Sequence, residues 1–398
     1  MGRTLLFGIA LLIWASSPGP CRAADYNHLR VGDRTGARII VEPALTLRER
    51  VSDDLYYTGT ADAEHTVVPG LSVTHRTGKT DIRSDARWEI YRYTETSTLN
   101  AVDWRHSLTA QWRPTERIRV RLPATVSQSS LVRRNQDEFG TVAALGEIFE
   151  VDARSEIDIR LSRRQRIGVN YRLERDEPSF PDFSRHTFHR LGGAWSFELD
   201  GRTTLIADAH AERLDGWVPG SRTDGAVSVF EHRVGARYRL TETTTLRVLA
   251  GVRGSWHDFN GPMSQTAETE AMPTIETLFR WDRPRLVMET RYIRDAYPDI
   301  YGEYVTRDLL VSEWRYKTGP RSVAAVTGTF RLLENSGYVR PLKTRMIRLA
   351  AEFKYRLSET RTVIFGCTTV QDENRLKPDR RRRNRGFVEI EMTWPGLL

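Results

Sequence analysis

The sequence predicts an all-β fold: a single transmembrane antiparallel up-and-down β-barrel of about 18 strands, with short periplasmic turns and longer outer loops. Three features predict it. Tight-turn clusters recur at near-regular intervals, the segments between them alternate polar and apolar residues, and large aromatics stand just before the turns.

The eight turn clusters are Thr77-Gly78-Lys79, Arg113-Pro114-Thr115-Glu116, Ser162-Arg163-Arg164-Gln165, Leu199-Asp200-Gly201-Arg202, Thr241-Glu242-Thr243-Thr244, Trp281-Asp282-Arg283-Pro284, Lys317-Thr318-Gly319-Pro320 and Ser358-Glu359-Thr360-Arg361. Gly, Pro, Asp, Ser and Thr favour turns for separate backbone reasons, so their regular return marks a hairpin repeat. Longer connections alternate with them. Eight short turns and nine long loops give eighteen strands with both termini on the periplasmic side. The strands fall at 37–50, 65–75, 81–93, 101–112, 117–127, 151–161, 167–173, 187–198, 204–213, 227–240, 246–256, 272–281, 286–293, 305–316, 323–333, 346–357, 363–369 and 387–394. Sixteen is the competing count, because Gln128 to Glu150 lacks clean alternation.

Between turns the period is two. Ile82, Ser84, Ala86, Trp88 and Ile90 share one face, against Asp81, Arg83, Asp85, Arg87 and Glu89 on the other. Ile118, Val120, Leu122, Ala124 and Val126 oppose Arg117, Arg119 and Arg121 in the same way. Leu246, Val248, Ala250, Val252 and Trp256 oppose Arg247, Arg253 and Ser255, and 345–357 repeats the pattern around Arg348. A helix would place its apolar residues three and four apart, which these segments do not.

The N-terminus indicates the compartment. Met1-Gly2-Arg3, an apolar run from Thr4 to Ala15 and then Cys21-Arg22-Ala23 follow the order of a secretory signal peptide. Residues 1–23 are therefore expected to be a signal peptide cleaved after Ala23, 24–36 a short periplasmic segment, and 37–398 a barrel in the outer membrane of a Gram-negative bacterium. The apolar run is shorter than the roughly twenty residues of a helical span. Pro20 before Cys21 argues against a lipid anchor. A mean hydropathy of −0.50 fits a barrel, because only alternate strand residues face lipid. Of the two cysteines Cys21 leaves with the signal, so Cys367 has no disulfide partner and reads as a small strand residue.

Trp112, Phe197, Tyr238, Trp281, Tyr316 and Tyr355 precede six of the eight turns. Such a girdle at one height suits a membrane interface, and a soluble sandwich has no reason to keep it. The last segment, Phe387 to Trp394, alternates and is expected to close the sheet against the first strand, although the chain continues to Leu398 instead of ending on an aromatic.

The chain resembles the large, divergent outer-membrane β-barrel porin family associated with exopolysaccharide and PEP-CTERM (exosortase) systems. The resemblance rests on the signal peptide, an opening strand from Ile39 to Arg50, the loop residues Ser52-Asp53-Asp54 and a strand with Val68-Pro69-Gly70-Leu71. It covers the architecture of the mature chain and implies no catalytic residue. The strand count and arginine-rich interior are also similar to alginate-export porins, an analogy of architecture that does not give function.

Lys plus Arg total 60 against 52 for Asp plus Glu, and the lysines are only Lys79, Lys317, Lys343, Lys354 and Lys377. The candidate lumen selectivity residues are Arg83, Arg87, Arg117, Arg119, Arg121, Arg247, Arg253 and Arg348, since cationic rings in a pore favour anions. Carboxylates such as Glu89, Glu231, Glu289, Glu313 and Glu352 are expected to pair with arginines and stiffen the wall, and cross-bracing of a wet barrel is the plainer role for all these charges. Eighteen strands are too many for wall side chains alone to fill. The connection from Gln128 to Glu150, with Arg133, Arg134, Asp137 and Glu138, is a constriction or an external loop. The run Lys377 to Arg385 is placed in the last outer loop, with Arg380, Arg381, Arg382 and Arg383 as candidate contacts for lipopolysaccharide phosphates or an acidic polysaccharide. A solvated loop is the plainer reading of it.

No catalytic residue, cofactor or metal is expected. Ser184, His186 and His189 lack triad spacing, and histidines three apart on a strand point to opposite faces. The sequence thus predicts a porin-like channel for diffusion or export of anionic or sugar-rich solutes, linked to exopolysaccharide secretion. The alternative is a non-conducting outer-membrane scaffold or surface-attachment protein. Expected partners are outer-membrane lipid and lipopolysaccharide, the barrel assembly machinery and polysaccharide export components, with no nucleic acid.

Overall fold

A computed structural model of the protein describes residues 38–53, 61–130, 146–179, 185–218, 223–260, 269–298, 304–335, 342–374 and 379–394. The proposed signal peptide, residues 24–36 and the side chains Arg133, Arg134, Asp137, Glu138, Ser184 and Lys377 lie outside them. The strands are β1 (Arg38–Ser52), β2 (Asp62–Arg76), β3 (Thr80–Tyr93), β4 (Ala101–Thr115), β5 (Ile118–Ser130), β6 (Glu147–Arg160), β7 (Gln165–Pro178), β8 (Arg185–Glu198), β9 (Thr203–Val218), β10 (Thr223–Thr241), β11 (Thr244–Asn260), β12 (Thr269–Asp282), β13 (Leu286–Pro298), β14 (Tyr304–Lys317), β15 (Ser322–Asn335), β16 (Leu342–Arg356), β17 (Arg361–Asn374) and β18 (Asp379–Thr393). Each pairs antiparallel with the next in chain order. β18 returns to β1 from Ala44 opposite Thr393 to Ser52 opposite Arg385, so the eighteen strands close into a barrel. Sixteen strands is ruled out.

The short turns form where expected, and in six of the eight a Thr, Ser or Asp explains why. Thr77, Thr115, Ser162, Asp200, Thr241 and Ser358 each turn a side-chain oxygen back to accept backbone N–H groups two or three residues ahead. A hydroxyl or carboxylate there supplies the acceptor that the reversing backbone lacks. Prolines stand where the ladder ends or lapses. Pro43 lies one residue beyond the last β1–β18 pair, and Pro69 and Pro123 fall in gaps of the β2–β3 and β5–β6 registers.

Strand alternation separates two faces. The outward face carries the exposed apolar residues, among them Val234 at 63% exposure, Leu191 and Leu349. All six pre-turn aromatics fall in this outward phase, and Trp104, Phe149 and Trp256 mark the opposite height. The inward face is polar near the short turns. Toward the long loops it holds packed apolar residues, with Phe188, Leu214, Val227 and Val229 in one cluster and Val305 and Leu333 fully buried.

Two expectations change. The segment from Gln128 to Glu150 is largely strand at its ends, since β5 runs to Ser130 and β6 starts at Glu147. The arginine run Arg380 to Arg383 belongs to β18 and not to the last loop. Both differences arise at the long-loop end, where the outward face also becomes charged, as at Arg175, Glu177, Glu373 and Arg382. Backbone pairing continues there while the polar–apolar period vanishes.

At Gly235 and Gly251 the backbones of β10 and β11 approach so closely that an added Cβ would lie 1.9 Å from the carbonyl oxygen of Val248 or His232. Gly251→Ala is expected to cost about 1–3 kcal/mol in urea unfolding of the micelle-bound barrel, with Gly328→Ala, where space is open, as the near-neutral comparison. The exposed Asp200 carboxylate accepts the backbone N–H groups of Arg202 at 2.7 Å and Thr203 at 2.6 Å, which hold its pKa below the usual carboxylate value. Its stabilisation is present above the unfolded pKa and lost as pH falls through the lowered folded one. Asp200→Asn should therefore flatten that acid limb of the stability profile.

Candidate functional site

The predicted lumen arginines all fall in the inward phase: Arg83 and Arg87 on β3, Arg119 and Arg121 on β5 with Arg117 just before it, Arg247 and Arg253 on β11, and Arg348 on β16. They are spread around the wall and do not converge on one ring. Their surroundings divide them. Arg83 meets Asp85 at 2.9 Å, Arg121 meets Glu156 at 3.7 Å and Arg247 meets Glu276 at 3.8 Å. Among the described residues, Arg87, Arg117, Arg119 and Arg348 have no ion partner within 4.0 Å.

Arg253 is different in kind. It is 3% exposed, and its guanidinium donates to Glu212 at 2.6 Å and Glu231 at 3.2 Å. His210 Nε2 lies 3.3 Å from both of the same carboxylates, and Arg190 reaches His210 Nδ1 at 3.2 Å. Arg233 links Glu231 at 3.3 Å to Asp208 at 2.9 Å and Glu276 at 3.4 Å, and Arg291 adds a contact of 3.2 Å to Glu276. The result is a ladder of ion pairs across β8 to β13. Buried carboxylates are tolerated only when paired, so Arg253 braces the wall and does not offer its charge to a solute. Sequence alternation identified Glu231 and Arg253 but not the group: Arg253 stands opposite Glu231, and Glu231 opposite His210, only through the cross-strand register.

The β18 arginines are also divided by the pleat. Arg381, Arg383 and Arg385 take the inward phase and Arg382 the outward one. Arg383 is 2% exposed, so the run does not present four side chains to one outer ligand. Outward pairs at the same end, including Arg213–Asp215 at 2.9 Å and Arg294–Asp308 at 3.5 Å, show ion pairing on the outer surface as well.

On β7 and β8, Glu174, Asp176 and His186 bring ligand-type atoms within 4.8 Å of one another. His186 Nε2 lies 3.2 Å from Asp176, and Arg172 pairs with Glu174 while its guanidinium carbon sits 5.9 Å from the Phe188 ring centre. Arg172, shared with Asp152 at 2.8 Å, thus already occupies one face of Glu174. His189 points outward and meets Tyr171 at 2.8 Å, so the two histidines serve opposite faces, as the spacing predicts.

No family model matches the chain, and no curated protein matches it. Among solved structures, the copper transporter OprC has a TM-score of 0.50 at 8% identity, over 92% of this chain and 81% of that one. The similarity is one of barrel fold. Pseudomonas aeruginosa OpdK, solved with vanillate, gives 0.48 at 10% identity over 89% and 99%, and Acinetobacter baumannii OccAB3 gives 0.47 at 11% over 90% and 99%.

Removing the Arg253 charge should leave Glu212 and Glu231 under-compensated, at a cost of about 3–5 kcal/mol. Arg348→Gln should stay within about 0.5 kcal/mol. Urea titrations of the two refolded variants, followed by heat-modifiable gel mobility, check the contrast.

Proposed function

We propose that the protein is an outer-membrane channel for anionic or sugar-rich solutes, exported behind a cleaved signal peptide. The observation that carries this reading is the pairing of an apolar, aromatic-girdled outer face with a charged inner face on a closed barrel of eighteen strands. A bilayer favours such a surface, since only a closed sheet leaves no unpaired backbone in hydrocarbon. Inside, Arg87, Arg119 and Arg348 have no ion pair within 4.0 Å among the described residues, and arginine's planar fork suits carboxylates and phosphates. A link to exopolysaccharide secretion follows from the resemblance and from this charge chemistry.

A second reading, a non-conducting scaffold or surface-attachment protein, draws support from the packed apolar interior near the long loops, where Val305 is 0% exposed and Leu333 1%. Planar-bilayer recordings under a salt gradient separate the two. The channel reading expects anion preference that falls or reverses in the triple variant Arg87→Glu, Arg119→Glu, Arg348→Glu. A folded, silent barrel would favour the scaffold, and unchanged selectivity in the variant would remove these arginines from the filter.

A further inference from the structure

At the short-turn end, β4 to β7 and the first short turn line an open cavity of about 700 Å³. Its lining includes Lys79, Arg113, Arg117, Arg119, Arg160 and Arg166, with Glu116 and Asp158 as its acids. Among the described residues none of the six cations has an ion pair within 4.0 Å. That contrasts with the arginines of β8 to β13, which are locked to buried carboxylates. The strand register creates the crowding: Arg117 and Arg119 share one inward phase, and Arg160 stands directly opposite Arg166 across the β6–β7 hairpin. Like charges facing each other on a sheet are destabilising, and a bound anion relieves that repulsion.

We infer that this cavity is an entry site for an extended polycarboxylate chain loading from the short-turn side. The inference rests on the channel reading for its place in transport. Two observations select the ligand class and the side. The cations are spread over four strands, about 14 Å across at the usual strand spacing, so one small anion cannot touch them all whereas a chain with repeated carboxylates can. The inward face here is open and charged, as at the exposed Arg113, Arg160 and Arg166, whereas toward the long loops it is packed with Leu214, Val227 and Leu333. A polyanion therefore meets accessible cations first at this rim.

Isothermal titration calorimetry of the refolded mature barrel in detergent at low salt tests the site without requiring conduction. Oligogalacturonate is the probe, maltooligosaccharide the neutral control and inorganic phosphate the small anion. Oligogalacturonate should bind and maltooligosaccharide should not. The triple variant Arg117→Gln, Arg119→Gln, Arg166→Gln should weaken binding about tenfold, as expected for the loss of several exposed ion contacts. Arg283→Gln, Arg285→Gln, Arg321→Gln, on another part of the same rim, should leave affinity unchanged. No binding, or equal losses in both triple variants, would overturn the site. Phosphate binding as tightly as the oligomer, with the same loss in the first variant, would overturn the chain-length argument. A conducting barrel that fails to bind removes only this site, while a silent barrel that binds removes only the channel.

Discussion

Closure of β18 on β1 is the constraint on which the rest of the barrel depends. A sheet open at that seam would expose two edges of unpaired N–H and C=O groups, several kcal/mol each in an apolar surrounding. The seam is built with care for this accounting. Nine residue pairs join the strands, Arg48 pairs with Glu389 across them on the inner side, and Trp394 donates its N–H to the Pro43 carbonyl at 3.1 Å. Pro43, which has no N–H to give, sits just past the last pair. Once the ring is closed, every side chain is assigned to the inner or outer face by the parity of its position.

That parity lets one chain serve two environments. The outer face collects Val, Leu and the girdle aromatics. Arginines and carboxylates collect on the inner one. Mixing both signs inside has a structural consequence, because much of the charge is consumed in bracing. Around His210, Arg190, Arg233 and Arg253 with Asp208, Glu212, Glu231 and Glu276 hold β8 to β12 together, and little of that charge remains for a solute. Unpaired cations persist instead at the short-turn rim and at scattered positions such as Arg87 and Arg348. Position along the barrel axis, more than the number of arginines, therefore decides which of them can act on a passing anion.

The fold was highly legible because its signals are local. In six of the eight tight turns a Thr, Ser or Asp caps the backbone it reverses, and alternation needs only neighbouring residues. What lay beyond local pattern was less legible. Arg253 and Arg348 look alike in the alternation, yet one is buried between two glutamates and the other is exposed, a difference set by residues facing them from strands distant in sequence. The Arg380 to Arg383 run has the composition of a loop, but β17 offers Asp372 and Glu373 opposite Arg381 and Arg380, and the backbone remains a strand. The rim cavity was half visible: Arg117 and Arg119 were singled out, whereas Arg113, Arg160 and Arg166 join them only through the register of β4 to β7.

The two-faced wall is the central claim, and cysteine accessibility tests it most directly. In a cysteine-free variant of the barrel reconstituted in lipid vesicles, Arg348→Cys and Leu349→Cys place a thiol at adjacent positions on opposite faces of β16. A charged, membrane-impermeant maleimide should label the inward thiol at position 348 and leave the outward one at 349 protected. Equal labelling at both, or the reverse pattern, would contradict a barrel that turns its apolar face to lipid and its charged face to water.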